Sequence, residues 1–194
     1  MKIILASSSP YRRQLLERLN FAFETASPDV DETPRPAESG RELAERLAAA
    51  KAKKIGRDLP TAFHEETLII GSDQVAECQG RLLGKPMTQA KAIAQLGSLS
   101  GQTVIFHTAV AVLLGEKISP LYVPTRVGIR TLTDEEIARY ISIDQPLNCS
   151  GALKTESLGI GLMTHFSSDD PTAIIGLPLI ALSECLRSHG IPIP

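Results

Sequence analysis

A mixed α/β fold is the architecture this sequence predicts, on three observations. Segments with strand and helix signatures alternate along the chain. Some successive strand signals are separated only by a tight turn, so hairpins must interrupt any parallel arrangement. The chain has 194 residues, 43% of them hydrophobic and 22% charged. That is enough apolar material for one substantial core, in a single domain over 1–194 or one built as two lobes.

The run Ile3-Ile4-Leu5 predicts a strand at 2–6. Ser9 and Pro10 suit the N-cap and first position of a helix over 10–19, with Leu15, Leu16 and Leu19 inward. A short strand at 21–26 leads into the polar loop "SPDVDETPRPAESG". Ser39 stands three residues before Glu42, a capping box for a helix reaching about Gly56, after which a loop covers about 57–66. "TLIIGSDQVAEC-QG-RLLGKP" reads as two strands joined at Gln79-Gly80. A helix at 88–97 follows, then strands near 102–114 and 121–130 with "GEKISP" between them. "TDEEIARYI" is a capped helix, and 149–176 is glycine-rich with short strand signals. The last helix begins after Pro178 and ends near Gly190.

Several function classes fall away on bulk properties. A net charge of −2 argues against a general nucleic-acid binder, which needs a dominant basic face. Cys78, Cys149 and Cys185 are odd in number and widely spaced, which suits reduced packing thiols in a cytoplasmic protein. The N-terminal apolar run is too short for a signal peptide, and no stretch is long enough to span a membrane. Asn148-Cys149-Ser150 therefore carries no weight as a glycosylation site. The four histidines lack metal-ligand spacing and no G-x-S-x-G occurs, which sets aside a zinc enzyme and a serine hydrolase.

What remains is a set of polar residues near strand ends. In "ASSSPYRRQLL" a strand, a serine-rich turn and a helix N-terminus present free N–H groups, an anion site that Arg12 or Arg13 can complete. Arginines run against the macrodipole there, and a capped surface helix with solvated arginines is the alternative. Leu43, Leu47 and Lys51 lie on one helical stripe, so Lys51 must snorkel or meet an anion, while Lys53 lies off it. In the hairpin, a Gln79-Gly80 turn sets Cys78 against Arg81 and, by extension, Gln74 against Lys85. Asp73 and Lys85 then converge, as an ion pair or as chemistry. Asp31 and Glu32 either solvate a turn or help to hold Mg²⁺ beside a phosphate. "GRLLGKP" is not a phosphate loop: it lacks a spacer and has Pro86 where a hydroxyl belongs.

In order, "LASSSPYRRQLL", "PDVDET", "RLAAAKAKKI", "IIGSDQV", "GKP", "LSGQ", "SGALKTESLGIG" and "IIGLPL" resemble the Maf family of nucleoside triphosphate pyrophosphatases over nearly the whole chain. The resemblance implies an elongated mixed α/β sheet flanked by helices, with two lobes around a central cleft, and allows a homodimer. It implies metal-dependent cleavage (Mg²⁺ or Mn²⁺) between the α and β phosphates of a nucleoside triphosphate. It further implies Asp73 as the proton acceptor, Glu32 helping with metal or water, and Asp73 and Glu32 as metal ligands. Ser7, Arg12, Lys51 and Lys85 would line the phosphates. Tyr11, Gln74 and Glu156 stand where the dTTP/UTP branch has other residues, and are similar to the branch acting on 7-methyl-GTP. Methylation at N7 makes the guanine ring cationic, which suits stacking on Tyr11, and Glu156 can accept from the guanine N1–H and amine. The alternatives are the dTTP/UTP activity, or a non-catalytic nucleotide-binding regulator of cell division.

Overall fold

Parallel and antiparallel pairings coexist in one seven-stranded sheet, as crossovers mixed with hairpins require. The computed structural model describes residues 1–194, apart from the side chains of residues 61–63. The elements are β1 (Lys2–Ala6), α1 (Pro10–Glu17), β2 (Glu24–Ala26), α2 (Gly40–Asp58), β3 (Thr67–Cys78) and β4 (Arg81–Leu83). Then come α3 (Gln89–Leu99), β5 (Thr103–Leu114), β6 (Lys117–Ile129), α4 (Asp134–Asp144), β7 (Met163–Ser167) and α5 (Leu179–Ser188). Strand order is β2-β1-β3-β5-β6-β7, with β4 also on β3. β1 pairs parallel with β2 and β3, whereas β4 and β7 pair antiparallel with β3 and β6.

The chain divides into two compact units, the first of residues 1–74, 108–123 and 170–194, the second of 75–107 and 124–169. In the first unit, Ile3 and Leu5 of β1, Leu68 and Ile70 of β3, and Val110 and Val112 of β5 bury against Leu15 and Leu16 of α1 and Leu182 and Leu186 of α5. These strand positions alternate, so one sheet face meets both helices. Each such buried side chain contributes about 1.5–3 kcal/mol. In the second unit Ala76, Leu83, Leu96, Leu99, Ile137 and Ile141 are buried, and α3 packs on α4.

Local signals in the sequence account for most boundaries. The Ser39–Glu42 and Thr133–Glu136 capping boxes are both formed. Gln79 and Gly80 both have positive φ (51° and 74°), the primed geometry that matches strand twist. Four expectations shift. The stretch expected as loop at about 57–66 is the end of α2 followed by a 3₁₀ helix at Thr61–Glu66. β2 is confined to Glu24–Ala26, because Phe21 and Phe23 leave the ladder and pack edge to face at 6.2 Å. β6 begins at Lys117 rather than 121, so Gly115-Glu116 makes the turn. Its prolines, Pro120 and Pro124, precede the β7 ladder that starts at Arg126, where no donor to β7 is lost. Between 149 and 176 only Met163–Ser167 is a strand, the rest being short 3₁₀ turns and irregular chain.

Candidate active site

β1 pairs with β3 only as far as Ala6↔Gly71. Past that point β1 gives way to Ser7–Ser9 and the start of α1, while β3 runs on through Ser72, Asp73 and Gln74. Side chains alternate along a strand, so Ser72 and Gln74 face one way and Asp73 the other. All three lie in the first unit, as do Ser7, Tyr11, Arg12, Glu32 and Lys51.

On the Asp73 face lies α2. A Cβ at Gly71 would stand 2.2 Å from the Ala48 carbonyl oxygen and 2.7 Å from the Ala52 nitrogen, so only glycine admits the helix this close. That approach brings Lys51 over Asp73. Its ammonium donates to Asp73 Oδ1 at 2.6 Å, and Glu32 Oε1 stands at 2.6 Å on the same nitrogen. Lys51 and Asp73 are 6% and 7% exposed, while the Glu32 side chain is 59% exposed. Of the two outcomes open to Lys51 on its apolar stripe, it meets anions. Burial pushes the Asp73 carboxyl above the ordinary range, with Lys51 and Arg12 pulling against it.

The acidic pair splits its roles. Asp31 turns back on Thr33, whose side chain and N–H (the latter at 2.9 Å) both hydrogen-bond the carboxylate and hold its pKa down. Glu32 faces Lys51 instead. Its loop is clamped by Arg46 of α2, which donates to Glu38 at 2.6 and 2.8 Å and to the Thr33 carbonyl at 3.0 Å. The Arg46 hydrogen bonds hold the Glu38 carboxyl down at about 2.

The other face of β3 is neutral and hydrogen-bonded. Ser72, fully buried, donates from Oγ to the Gly176 carbonyl at 2.8 Å, and Arg12 Nε donates to the same oxygen at 3.0 Å. Gln74 Nε2 donates to Thr108 Oγ1 and to the Ala173 and Ile174 carbonyls at 2.8–3.0 Å. Desolvation lowers the Arg12 pKa, Asp73 and Glu32 oppose it, and a guanidinium remains charged throughout. Nearby, Ser7 Oγ accepts from the Ser9 N–H at 3.1 Å and Ser9 caps α1. Arg13 turns outward to an exposed pair with Glu17, so Arg12 is the arginine of this site. Tyr11 is half-buried beside it.

Lys85 and Glu156 belong to the second unit and are exposed. Cys78 pairs with Arg81 as expected, but the ladder ends at Ala76↔Leu83, so Lys85 does not stand opposite Gln74. The Gly84 carbonyl is engaged by Gln95 Nε2 at 3.1 Å and the Gly151 N–H at 3.4 Å, which ends the hairpin before Lys85. The ammonium that meets Asp73 is that of Lys51. Glu156 is flanked by Lys154, whose N–H donates to Tyr140, and by Ser157, whose hydroxyl donates to Asp144.

Among the described residues no three His, Cys, Asp or Glu side chains converge as a closed metal cage. Asp73 and Glu32 nevertheless supply oxygens already gathered about one cation, the Lys51 ammonium. Hard oxygen donors in that number suit Mg²⁺ or Mn²⁺, which take one or two carboxylates and complete their shell with water and phosphate. The residues present fit such an ion.

A nearly buried carboxylate paired with one ammonium and in the field of a guanidinium, two residues past the end of the β1–β3 pairing, is an arrangement able to handle phosphate chemistry. The chain belongs to the Maf family: the model of Maf-like proteins matches residues 2–189. It is 52% identical over 195 residues to the 7-methyl-GTP pyrophosphatase of Aromatoleum aromaticum, covering 100% of this chain and 98% of that one. It is 50% identical to the 7-methyl-GTP pyrophosphatase of a Polaromonas species, covering 97% and 85%. Its identity to that of Xanthomonas oryzae pv. oryzae is 49%, covering 100% and 99%. A HAM1 protein from Coxiella burnetii shares the fold, with a TM-score of 0.51 at 18% identity over 97% of this chain and 99% of that one.

Ser72, Gly176, Arg46 and Glu38 were not among the residues expected to act. Ser72 and Gly176 sit within "IIGSDQV" and "IIGLPL", but they meet across 104 positions, which no local pattern reports.

Proposed function

We propose that this protein is a cytoplasmic nucleoside triphosphate pyrophosphatase that hydrolyses 7-methyl-GTP to 7-methyl-GMP and pyrophosphate. One observation carries the chemistry: a nearly buried carboxylate, Asp73, lies against Lys51 and in the field of Arg12. Names shared by relatives at about 50% identity over the whole chain support the substrate.

Asp73 accepts a proton from the water that attacks the α phosphorus, and the bond to the bridging oxygen of pyrophosphate breaks. Arg12, Lys51 and the Ser7 hydroxyl bind phosphate oxygens, and the N-terminus of α1 adds its N–H groups. Asp73 and Glu32 would hold a divalent cation, which would supply charge neutralisation at the phosphates. Lys51 keeps the two carboxylates aligned and limits the energetic cost of ionising Asp73. Lys85 serves the phosphates and Glu156 the guanine edge, roles that follow the family resemblance. Tyr11 stacks on the cationic base. Gln74 has its amide nitrogen engaged by main chain, so its contact with the nucleotide is through Oε1. Positioning and electrostatics carry most of the acceleration, as phosphoryl transfer allows.

The test is pyrophosphate release over 7-methyl-GTP, GTP, UTP and dTTP, with and without a chelator. We expect 7-methyl-GTP to be preferred and chelation to abolish turnover. Tyr11→Ala lowers kcat/KM for 7-methyl-GTP by about two- to thirtyfold, the range of a cation–π contact, and affects UTP less. Equal losses on every substrate would count against stacking, and preference for UTP or dTTP would overturn the substrate.

A further inference from the structure

Arg12 is long and flexible, and a terminal grip on phosphate depends on where its guanidinium is aimed. In this structure one edge of that group is already fixed. Nε donates to the Gly176 carbonyl at 3.0 Å, and Ser72 Oγ donates to the same oxygen at 2.8 Å. Gly176 has φ of 118°, in the region that favours glycine, and a Cβ there would stand 3.2 Å from Arg12 Nε. The turn that carries this carbonyl is itself anchored. The Ala173 carbonyl accepts from Thr108 Oγ1 at 2.9 Å and from Gln74, the Ile174 carbonyl also accepts from Gln74, and the Gly176 N–H closes onto Ala173 at 2.9 Å.

We infer that Ser72 is a positioning residue for Arg12, acting through the shared Gly176 carbonyl to aim the guanidinium at the substrate phosphates. The inference rests on the proposed role of Arg12 and names the part of the fold that makes it effective. Because Nε is engaged, Arg12 presents its two terminal nitrogens, an end-on grip on a phosphate. Lysine has no counterpart to the Nε bond and cannot be seated this way. Ser72 is suited to the task because it is on the strand that carries Asp73, one residue away and on the opposite face. The groups that bind phosphate and accept the proton are thus referenced to one rigid strand.

A double-mutant cycle tests it, with kcat/KM for 7-methyl-GTP and the inhibition constant of pyrophosphate as readouts. Ser72→Ala leaves the Gly176 carbonyl bonded to Arg12, so no buried acceptor is orphaned. We expect it to lower kcat/KM by about tenfold and to weaken pyrophosphate inhibition by a similar factor, as a misaimed bidentate contact would. In an Arg12→Ala background the same change should cost less than about twofold, since the residue it positions is gone. Equal losses in both backgrounds, or no loss in the first, would overturn the inference. If Arg12→Ala itself leaves kcat/KM unchanged, the phosphate role of Arg12 fails instead, a distinct result. Should Ser72→Ala not fold, Ser72→Cys, with its weaker donor, carries the same cycle.

Discussion

The two faces of β3 at residues 72–74 do opposite things within three positions. The Asp73 face holds ionised groups: a nearly buried ammonium between an inner and an outer carboxylate, one of them 59% exposed. The Ser72 and Gln74 face holds neutral hydrogen bonds to the main chain of 173–176, joined there by the Arg12 guanidinium. The ionisable groups share one face, open to solvent at Glu32 and closed at Asp73. Alignment is left to bonds that need not change. A strand serves both purposes because its period of two separates them completely.

That division can be broken from either side. Among changes to the neighbours of Asp73, the largest effect expected is Lys51→Met, which removes the cation shared by Asp73 and Glu32. Leaving a buried carboxylate without its partner costs about 3–5 kcal/mol of stability. With a positive neighbour gone, the Asp73 pKa moves further up, so the acid limb of the kcat/KM profile shifts to higher pH. At neutral pH we expect more than about a hundredfold loss of kcat/KM. An unmoved acid limb would show that Lys51 does not tune Asp73.

Gly71→Ala attacks the same face through packing. Its Cβ cannot coexist with the Ala48 carbonyl and the Ala52 nitrogen, so α2 must retreat. We expect a loss of about 1–3 kcal/mol, read as a lower urea midpoint. A shift of about 1 Å between Lys51 and Asp73 should reduce kcat by up to about a hundredfold. Wild-type activity with lowered stability would separate the helix approach from the chemistry.

The smallest effect belongs to the clamp behind Glu32. Glu38 titrates near 2 in the folded protein against an ordinary value of 4.5. Its folded pKa is depressed, so its contribution is present above the unfolded value and is lost as pH falls from 4.5 toward 2. Urea midpoints measured across that window should fall for the wild type and fall less steeply for Glu38→Gln. Identical slopes would mean the Arg46–Glu38 pair is not coupled to folding.

Much of this is legible in the sequence alone. β1, the N-cap of α1, both capping boxes, the Gln79-Gly80 turn and the apolar stripe that carries Lys51 all follow from local rules acting on named residues. Long-range pairing was not legible. Hairpin register extended past Leu83 suggested that Lys85 meets Asp73, whereas side-chain and main-chain donors from 95 and 151 capture the Gly84 carbonyl and stop the ladder. Likewise the Gly176 carbonyl that seats Arg12 comes from 164 positions away. Gly71, where the β1–β3 pairing ends, also lets a helix backbone touch a strand, a service no local pattern reports.

The central claim, that Asp73 accepts the proton of the attacking water, is tested most directly by Asp73→Asn assayed for 7-methyl-GTP turnover alongside a binding measurement. The amide keeps the shape of the side chain and removes the base. We predict a fall in kcat of about a thousandfold, within the range general-base removal produces, with nucleotide affinity held within a few-fold. Turnover within about tenfold of the wild type would contradict the assignment.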